Sequence, residues 1–194
     1  MKPTDIQKLA VFCGSSAGNI PLYARAAESL AEALCTADIG LVYGGGNVGL
    51  MGILADRVLA QGGQAIGVIP KSLVQVELAH TELTEIHIVE TMHERKALMA
   101  VLSDGYIMLP GGPGSLDEFF EMVTWAQLGY HSKPCGILNT NGYYDNLLTF
   151  LDHATEKGFM QPVYRNMLIV EESAATLIQR FQTYQAPLEK KWVS

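Results

Sequence analysis

Cysteine is scarce in this chain: Cys13, Cys35 and Cys135 are three in 194 residues, odd in number and widely spaced. That excludes a disulfide scaffold, and the spacing offers no metal-ligand pair. A reducing, cytoplasmic compartment is the expectation. Long apolar runs are lacking too, with nothing approaching the roughly 18 residues of a membrane span. The opening Met1-Lys2-Pro3-Thr4-Asp5-Ile6-Gln7 has no apolar stretch of the signal-peptide kind. Positive charge is in deficit, with 13 Lys and Arg against 20 Asp and Glu and a formal net charge of −7. Nucleic acid is therefore not an expected partner, since binding it needs a basic face. A membrane is not expected either. Any anionic ligand must be held by local features against an unfavourable overall field. The five histidines contain no pair at metal-ligand spacing, so no metal is expected. Neither a G-x-S-x-G elbow nor a Ser-His-Asp order is found.

What remains is a composition that is 48% hydrophobic and 17% charged, typical of a globular chain. Short apolar runs alternate with helical patterns from end to end, without linkers, repeats or low-complexity stretches. Strands are expected at Leu9–Cys13, Leu41–Tyr43, Ala65–Ile69, Ile86–Val89, Tyr106–Leu109, Cys135–Leu138 and Met167–Val170. Helices are expected near 21–37, 48–61, 92–103, 115–130, 144–157 and 173–184. Repeated βα units of this length predict a single doubly wound, Rossmann-like α/β domain over residues 1–194. Its parallel sheet of about seven strands would carry helices on both faces, and apolar strands suit burial on both sides. A polar tail is expected over about 185–194.

The most informative stretch is Pro110-Gly111-Gly112-Pro113-Gly114-Ser115-Leu116-Asp117-Glu118. It stands between a strand and a helix, where glycines turn backbone N–H groups toward one point and the helix dipole favours an anion. A carboxylate, Glu118, follows at once. Spacing leaves two readings of it open. Ser115-x-x-Glu118 matches a capping box, in which the carboxylate serves the helix start. The alternative is a catalytic carboxylate beside an anion cradle, which the preceding Gly-Gly-Pro-Gly favours, since a plain cap needs no cradle.

Two further loops of small residues leave strand ends, Cys13-Gly14-Ser15-Ser16-Ala17-Gly18 and Gly44-Gly45-Gly46-Asn47-Val48-Gly49. In this fold ligands bind beyond the carboxyl ends of strands, near a switch in strand order. Gly44, Gly46 and Gly49 satisfy G-x-G-x-x-G, but the next strand ends in Pro70-Lys71 rather than in a ribose-binding acid. A mononucleotide or phosphate loop is the favoured reading, with a ligand-free tight turn still open. Thr91-Met92-His93-Glu94 is a second capping box, followed by Arg95 and Lys96. Cations at a helix start oppose the dipole at roughly 0.3–1 kcal/mol each. Anion binding explains them better than a solvated pair, with Arg95 offering a fork to oxygen atoms. His87 and His131 read as structural, and Trp125 as core or interface material; His93 adjoins Arg95 and could face the crevice, though helical geometry does not require it. Thr124 continues the Glu118 helix face by three- and four-residue steps and would border the same crevice.

At these residues the chain resembles the Lonely-Guy family, the cytokinin riboside 5′-monophosphate phosphoribohydrolases, often called lysine decarboxylase-like. Its P-G-G-x-G-T-x-x-E hallmark matches Pro110 to Glu118, with Ser115 in place of Thr and Asp117 where a first Glu is usual. Cys13-Gly14-Ser15-Ser16, Tyr43-Gly44-Gly45-Gly46, Gly49-Leu50-Met51-Gly52 and Met92-His93-Glu94-Arg95-Lys96 match as well. Thr124 to Gly129 and Gly142-Tyr143-Tyr144 continue the likeness, which runs roughly from residue 8 to 170. The resemblance implies hydrolysis of the N-glycosidic bond of a nucleoside 5′-monophosphate, such as a cytokinin nucleotide or AMP. It implies Arg95 and Glu118 as catalytic residues. Substrate would be bound by Ser15, Gly45, Gly46, Glu77, Met92, Lys96, Gly111, Gly112, Pro113, Gly114, Ser115, Leu116, Asp117 and Thr124. No cofactor and a homodimer are also implied. A non-catalytic nucleotide or molybdenum-cofactor carrier on the same fold is the alternative, but it would not need Arg95 and Glu118 together. A decarboxylase would need pyridoxal phosphate on a lysine, and no lysine has a recognisable setting for one.

Overall fold

The computed structural model describes residues 6–187, so Met1 to Asp5 and most of the expected polar tail lie outside the described residues. Apolar runs become strands β1 (Lys8–Phe12), β2 (Gly40–Tyr43), β3 (Ala65–Pro70), β4 (Glu85–Val89), β5 (Tyr106–Met108), β6 (Cys135–Leu138) and β7 (Leu168–Glu171). They form one sheet in the order β4-β3-β2-β1-β5-β6-β7, every neighbour parallel. Ala10 is in register with Val42 on β2 and with Tyr106 on β5, which fixes β1 at the centre. The chain winds one way from β1 to β4 and the other way from β5 to β7. The switch in direction lies between β1 and β5.

Helices α1 (Pro21–Thr36), α2 (Gly49–Ala60), α3 (Met92–Leu102), α4 (Pro113–Gln127), α5 (Asp145–Glu156), α6 (Pro162–Asn166) and α7 (Ala174–Gln182) connect and flank the strands. Successive strand residues point to opposite faces, so each apolar run supplies two cores. Leu9 and Val11 pack with Leu30 of α1, Leu54 of α2 and Phe181 of α7. Ala10 and Phe12 pack with Met99 of α3, Phe119 of α4 and Leu151 of α5. The expected doubly wound sheet with helices on both faces is therefore present. At the edge, β4 leaves Ile86 and Ile88 exposed.

Two expectations need correction. Helix α4 starts at Pro113 with Gly112 as its N-cap, not at Ser115. Proline at the first helical position supplies the right φ and gives up only an N–H that has no partner there. The short α6 was not foreseen, because five residues after Pro162 carry too little periodicity to register. Cys13, Cys35 and Cys135 are free thiols. Among the described residues no helix is long and apolar enough to cross a membrane.

Candidate active site

Loops from the carboxyl ends of β1, β2 and β5 meet at the switch point. Gly14 N donates to Pro110 O at 3.0 Å, and Leu50 N, in the first turn of α2, donates to Gly14 O at 3.1 Å. The β1 loop is thus tied to both of its neighbours. A cavity of about 320 Å³ opens between Ser15, Ser16, Tyr23, Pro110, Gly111 and Tyr143. In the G-x-G-x-x-G stretch Gly44 and Gly49 leave no room for a side chain without a shift of their neighbours. A Cβ on Gly44 would collide with Arg95 Nη2, and one on Gly49, whose φ is +56°, would collide with the Ser15 backbone. This packing is what the motif encodes here.

Arg95 is the centre of the charged cluster. It lies one turn into α3, and its side chain is only 5% exposed. Nε donates to Val68 O at 3.0 Å and Nη2 to Gly44 O at 3.0 Å, so the ends of β3 and β2 hold the guanidinium flat. Two carboxylates flank it: Glu77 Oε2 is 3.5 Å from Nη2 and Glu118 Oε1 is 3.6 Å from Nη1. Met92 Sδ lies 3.8 Å from Nη1. The oddly placed cation of the sequence is therefore not opposing a helix dipole in water. Main-chain carbonyls and two acids stabilise it in a nearly dry setting.

Glu118 is not a cap. With α4 beginning at Pro113, Ser115 sits in the first turn and Glu118 in the second, beyond reach of the helix start. Its side chain, 13% exposed, turns to Arg95 instead. Burial pushes the Glu118 carboxyl above its ordinary value, Arg95 pulls it back, and Glu77 and Asp117 push it up further. Cys13 borders the same cluster. Burial first, then the Glu118 charge, pushes its thiol up, so it stays protonated. The other box forms in its threonine half: Thr91 Oγ1 accepts from Glu94 N at 3.1 Å, while Glu94 Oε2 accepts from Glu90 N, one residue before the cap, at 2.9 Å.

Glu77 reaches the cluster from the loop after β3. Asn47 N donates to Glu77 O at 3.0 Å, and His80 N donates to Gly45 O at 2.9 Å, which strap that loop across the β2 glycines. Buried His80 adds a contact from Nε2 to Asp56 Oδ1 at 3.0 Å. Lys96 points to α4, where Asp117 and Glu121 hold its ammonium at 3.0 and 2.8 Å. Burial works against that charge, but the two carboxylates outweigh it and raise its pKa.

The remaining sequence candidates divide by position. Gly111, Gly112, Pro113 and Gly114 form the turn and opening of α4, where the first helical N–H groups lack internal acceptors. Nothing lies within 4 Å of a Cβ placed on Gly112 or Gly114, so this face is open. Ser115 is buried against Gly111, while Ser15 is exposed and Gly45 and Gly46 are buried. Leu116 is half-buried and packs against the α3–α5 core. Thr124 is not brought to the cluster. It lies six residues, about 9 Å, along α4, and its hydroxyl donates to Phe120 O at 2.7 Å. Trp125 packs against the core, and His131 contacts Met122 O at 2.9 Å, both structural roles. Sequence reasoning missed Tyr23 and His80, and singled out Tyr143 only within a matching segment. Among the described residues no three His, Cys, Asp or Glu side chains are grouped to hold a metal ion.

An open array of N–H donors thus stands one to two turns of α4 ahead of Glu118, an acid of raised pKa that flanks the buried Arg95 together with Glu77. Such a set can hold an anion and stabilise positive charge a few ångströms away.

Residues 51–181 match the family model described as possible lysine decarboxylase. A cytokinin riboside 5′-monophosphate phosphoribohydrolase of Arabidopsis thaliana is 47% identical over 187 residues, 96% of this chain and 88% of that protein. One from Rhodococcoides fascians is 48% identical over 170 residues, 87% of this chain and 85% of the relative. Among solved structures, the molybdenum cofactor binding protein from the phototrophic bacterium Rippkaea orientalis superposes with a TM-score of 0.69 at 19% identity, covering 94% of this chain and 97% of that one. At that identity the likeness concerns the fold alone.

Proposed function

The chain belongs to the possible lysine decarboxylase family, the Lonely-Guy family, and from that membership we propose that it is a nucleoside 5′-monophosphate phosphoribohydrolase. The observation that carries this reading is Arg95 clamped between Glu77 and Glu118 beside the open start of α4. In the reaction the C1′–N bond of the nucleotide breaks and the base leaves with the bonding pair. A water oxygen bonds to C1′, and the departing base takes up a proton. Positive charge builds on the ribose in the transition state, as in other glycosyl transfers. Glu118 faces that charge, either taking the water proton or bonding C1′ before water does. Arg95 orients the ribose, and the 111–115 backbone grips the phosphate, fixing the sugar against the carboxylate.

A nucleotide carrier on the same fold would need the glycine loops but no arginine packed against a buried acid. Incubation with AMP and with isopentenyladenosine monophosphate, followed by chromatography, tests the reading. Free base is the expected product. No base from these or any other nucleoside monophosphate overturns it.

We infer further that the enzyme works in the cytoplasm as a homodimer. Three free thiols support the first point. Exposed Ile86 and Ile88 on β4, beside exposed Val101 on α3, support the second. A monomeric mass by sedimentation at micromolar concentration would remove the dimer.

A further inference from the structure

Three successive carbonyls of the 109–111 turn are each held by a different donor. Tyr144 Oη donates to Leu109 O at 2.8 Å, Gly14 N to Pro110 O at 3.0 Å, and Tyr143 Oη to Gly111 O at 2.9 Å. A trans peptide is planar, with its C=O and the following N–H pointing in opposite directions. Fixing a carbonyl therefore aims the next N–H. The bond to Pro110 O aims the Gly111 N–H, and the bond to Gly111 O aims the Gly112 N–H. Proline at 110 and 113 removes the N–H on either side, and the Gly111 N–H turns to the Tyr144 phenol, which leaves the Gly112 N–H as the turn's open donor.

The two tyrosines differ in setting. Tyr144 is buried and belongs to the α3–α5 core, whereas Tyr143 is 43% exposed at the rim of the cavity. Tyr143 is held in place by ring contacts. Its ring meets Tyr144 edge-on at 4.7 Å and Tyr23 of α1 edge-on at 5.5 Å. Tyr23 in turn lies against Gly18, at the end of the β1 loop. A clasp of rings so joins the β1 loop to the β5 turn, and its free end is a phenol on Gly111 O. Glycine at 111 and 112 brings no side chain to stiffen that peptide, so the phenol supplies what the residues lack.

We propose that Tyr143 is a positioning residue, whose phenol holds the Gly111–Gly112 peptide with its N–H turned toward the substrate phosphate. The inference rests on the phosphoribohydrolase reading only in naming the ligand as a phosphomonoester. Tyr143→Phe keeps the ring clasp and removes the hydrogen bond alone. Calorimetric titration with ribose 5-phosphate and with inorganic phosphate should show affinity weakened about threefold to tenfold, as for one lost hydrogen bond. Adenine, which lacks a phosphate, should bind both proteins equally, and the melting temperature should fall by no more than a few degrees. With a nucleoside monophosphate as substrate, KM should rise by the same factor while kcat changes less than twofold. Unchanged phosphate affinity in Tyr143→Phe overturns the proposal, as does a fall in kcat with KM intact. If the wild type binds ribose 5-phosphate but releases no base, the hydrolase reading fails while the titration still decides the role of Tyr143. A wild type that binds neither phosphate probe overturns both.

Discussion

Helices α3 and α4 open on the same pattern, Thr91-x-x-Glu94 and Ser115-x-x-Glu118, and do opposite things with it. At α3 the threonine caps the helix and Glu94 is spent on the backbone just before it. At α4 the helix has already begun at Pro113, so Ser115 caps nothing and Glu118 is free to face Arg95. One proline, two residues ahead of the serine, releases the glutamate from capping and leaves it buried against Arg95. A cap motif thus identifies a function only once the first helical residue is known.

The comparison breaks most visibly at the two glutamates. Glu118→Gln should lower turnover of a nucleoside monophosphate by about 10²–10⁴-fold, the range for a lost acid–base group, with the circular dichroism spectrum retained. Glu94→Gln should leave steady-state rates within about twofold, because its neutral amide can still serve the α3 start. Full activity in Glu118→Gln would return that residue to a structural role. Arg95→Ala comes next. It leaves Glu77 and Glu118 facing each other without their shared cation, and losing one partner of a buried ion pair costs about 3–5 kcal/mol. Urea denaturation should show that loss together with abolished turnover.

The caps sharpen the contrast at lower energy. Thr91→Ala should cost about 1 kcal/mol of stability, the usual value for a lost N-cap. Ser115→Ala should cost less, since no cap is removed. Equal losses in thermal melts would mean that both boxes form. The smallest effect is in pH. The Glu118 pKa is raised in the folded protein, so the folded state holds this proton more tightly than the unfolded chain. Wild-type stability relative to Glu118→Gln should then fall as pH rises from the ordinary carboxylate range through the raised folded value. A difference in melting temperature that is flat across that range would argue against the buried, raised carboxylate.

Much of this was legible in the sequence, for reasons that differ by region. Strands buried on both faces write themselves as apolar runs, and helices between them as periodic ones, so the doubly wound sheet could be read directly. The site was legible where a residue type stood in the wrong place for structure alone. Arg95, a cation at a helix start, is such a case, and its explanation is the pair of carbonyls at Val68 and Gly44. Glu77 has no such mark. Its position depends on a loop strapped by Asn47 N and His80 N across the β2 glycines, bonds between main chains that residue types do not announce. Tyr143 is similar, since its role depends on where one carbonyl 32 residues away happens to point. The start of α4 was misread because the serine–glutamate spacing outweighed Pro113, although proline is the stronger constraint on backbone.

The contact between Gly44 and Arg95 also constrains how this sequence can change over time. The guanidinium occupies the space that a Cβ at position 44 would take, so the two residues exclude every side chain there but hydrogen. A descendant that lost the arginine would free position 44 to accept alanine once Met51 Sδ, 3.2 Å from the Cβ site, gave way slightly. From then on arginine could not return until glycine had been restored. Loss of this charge, once followed by a side chain at position 44, would in that sense be hard to reverse.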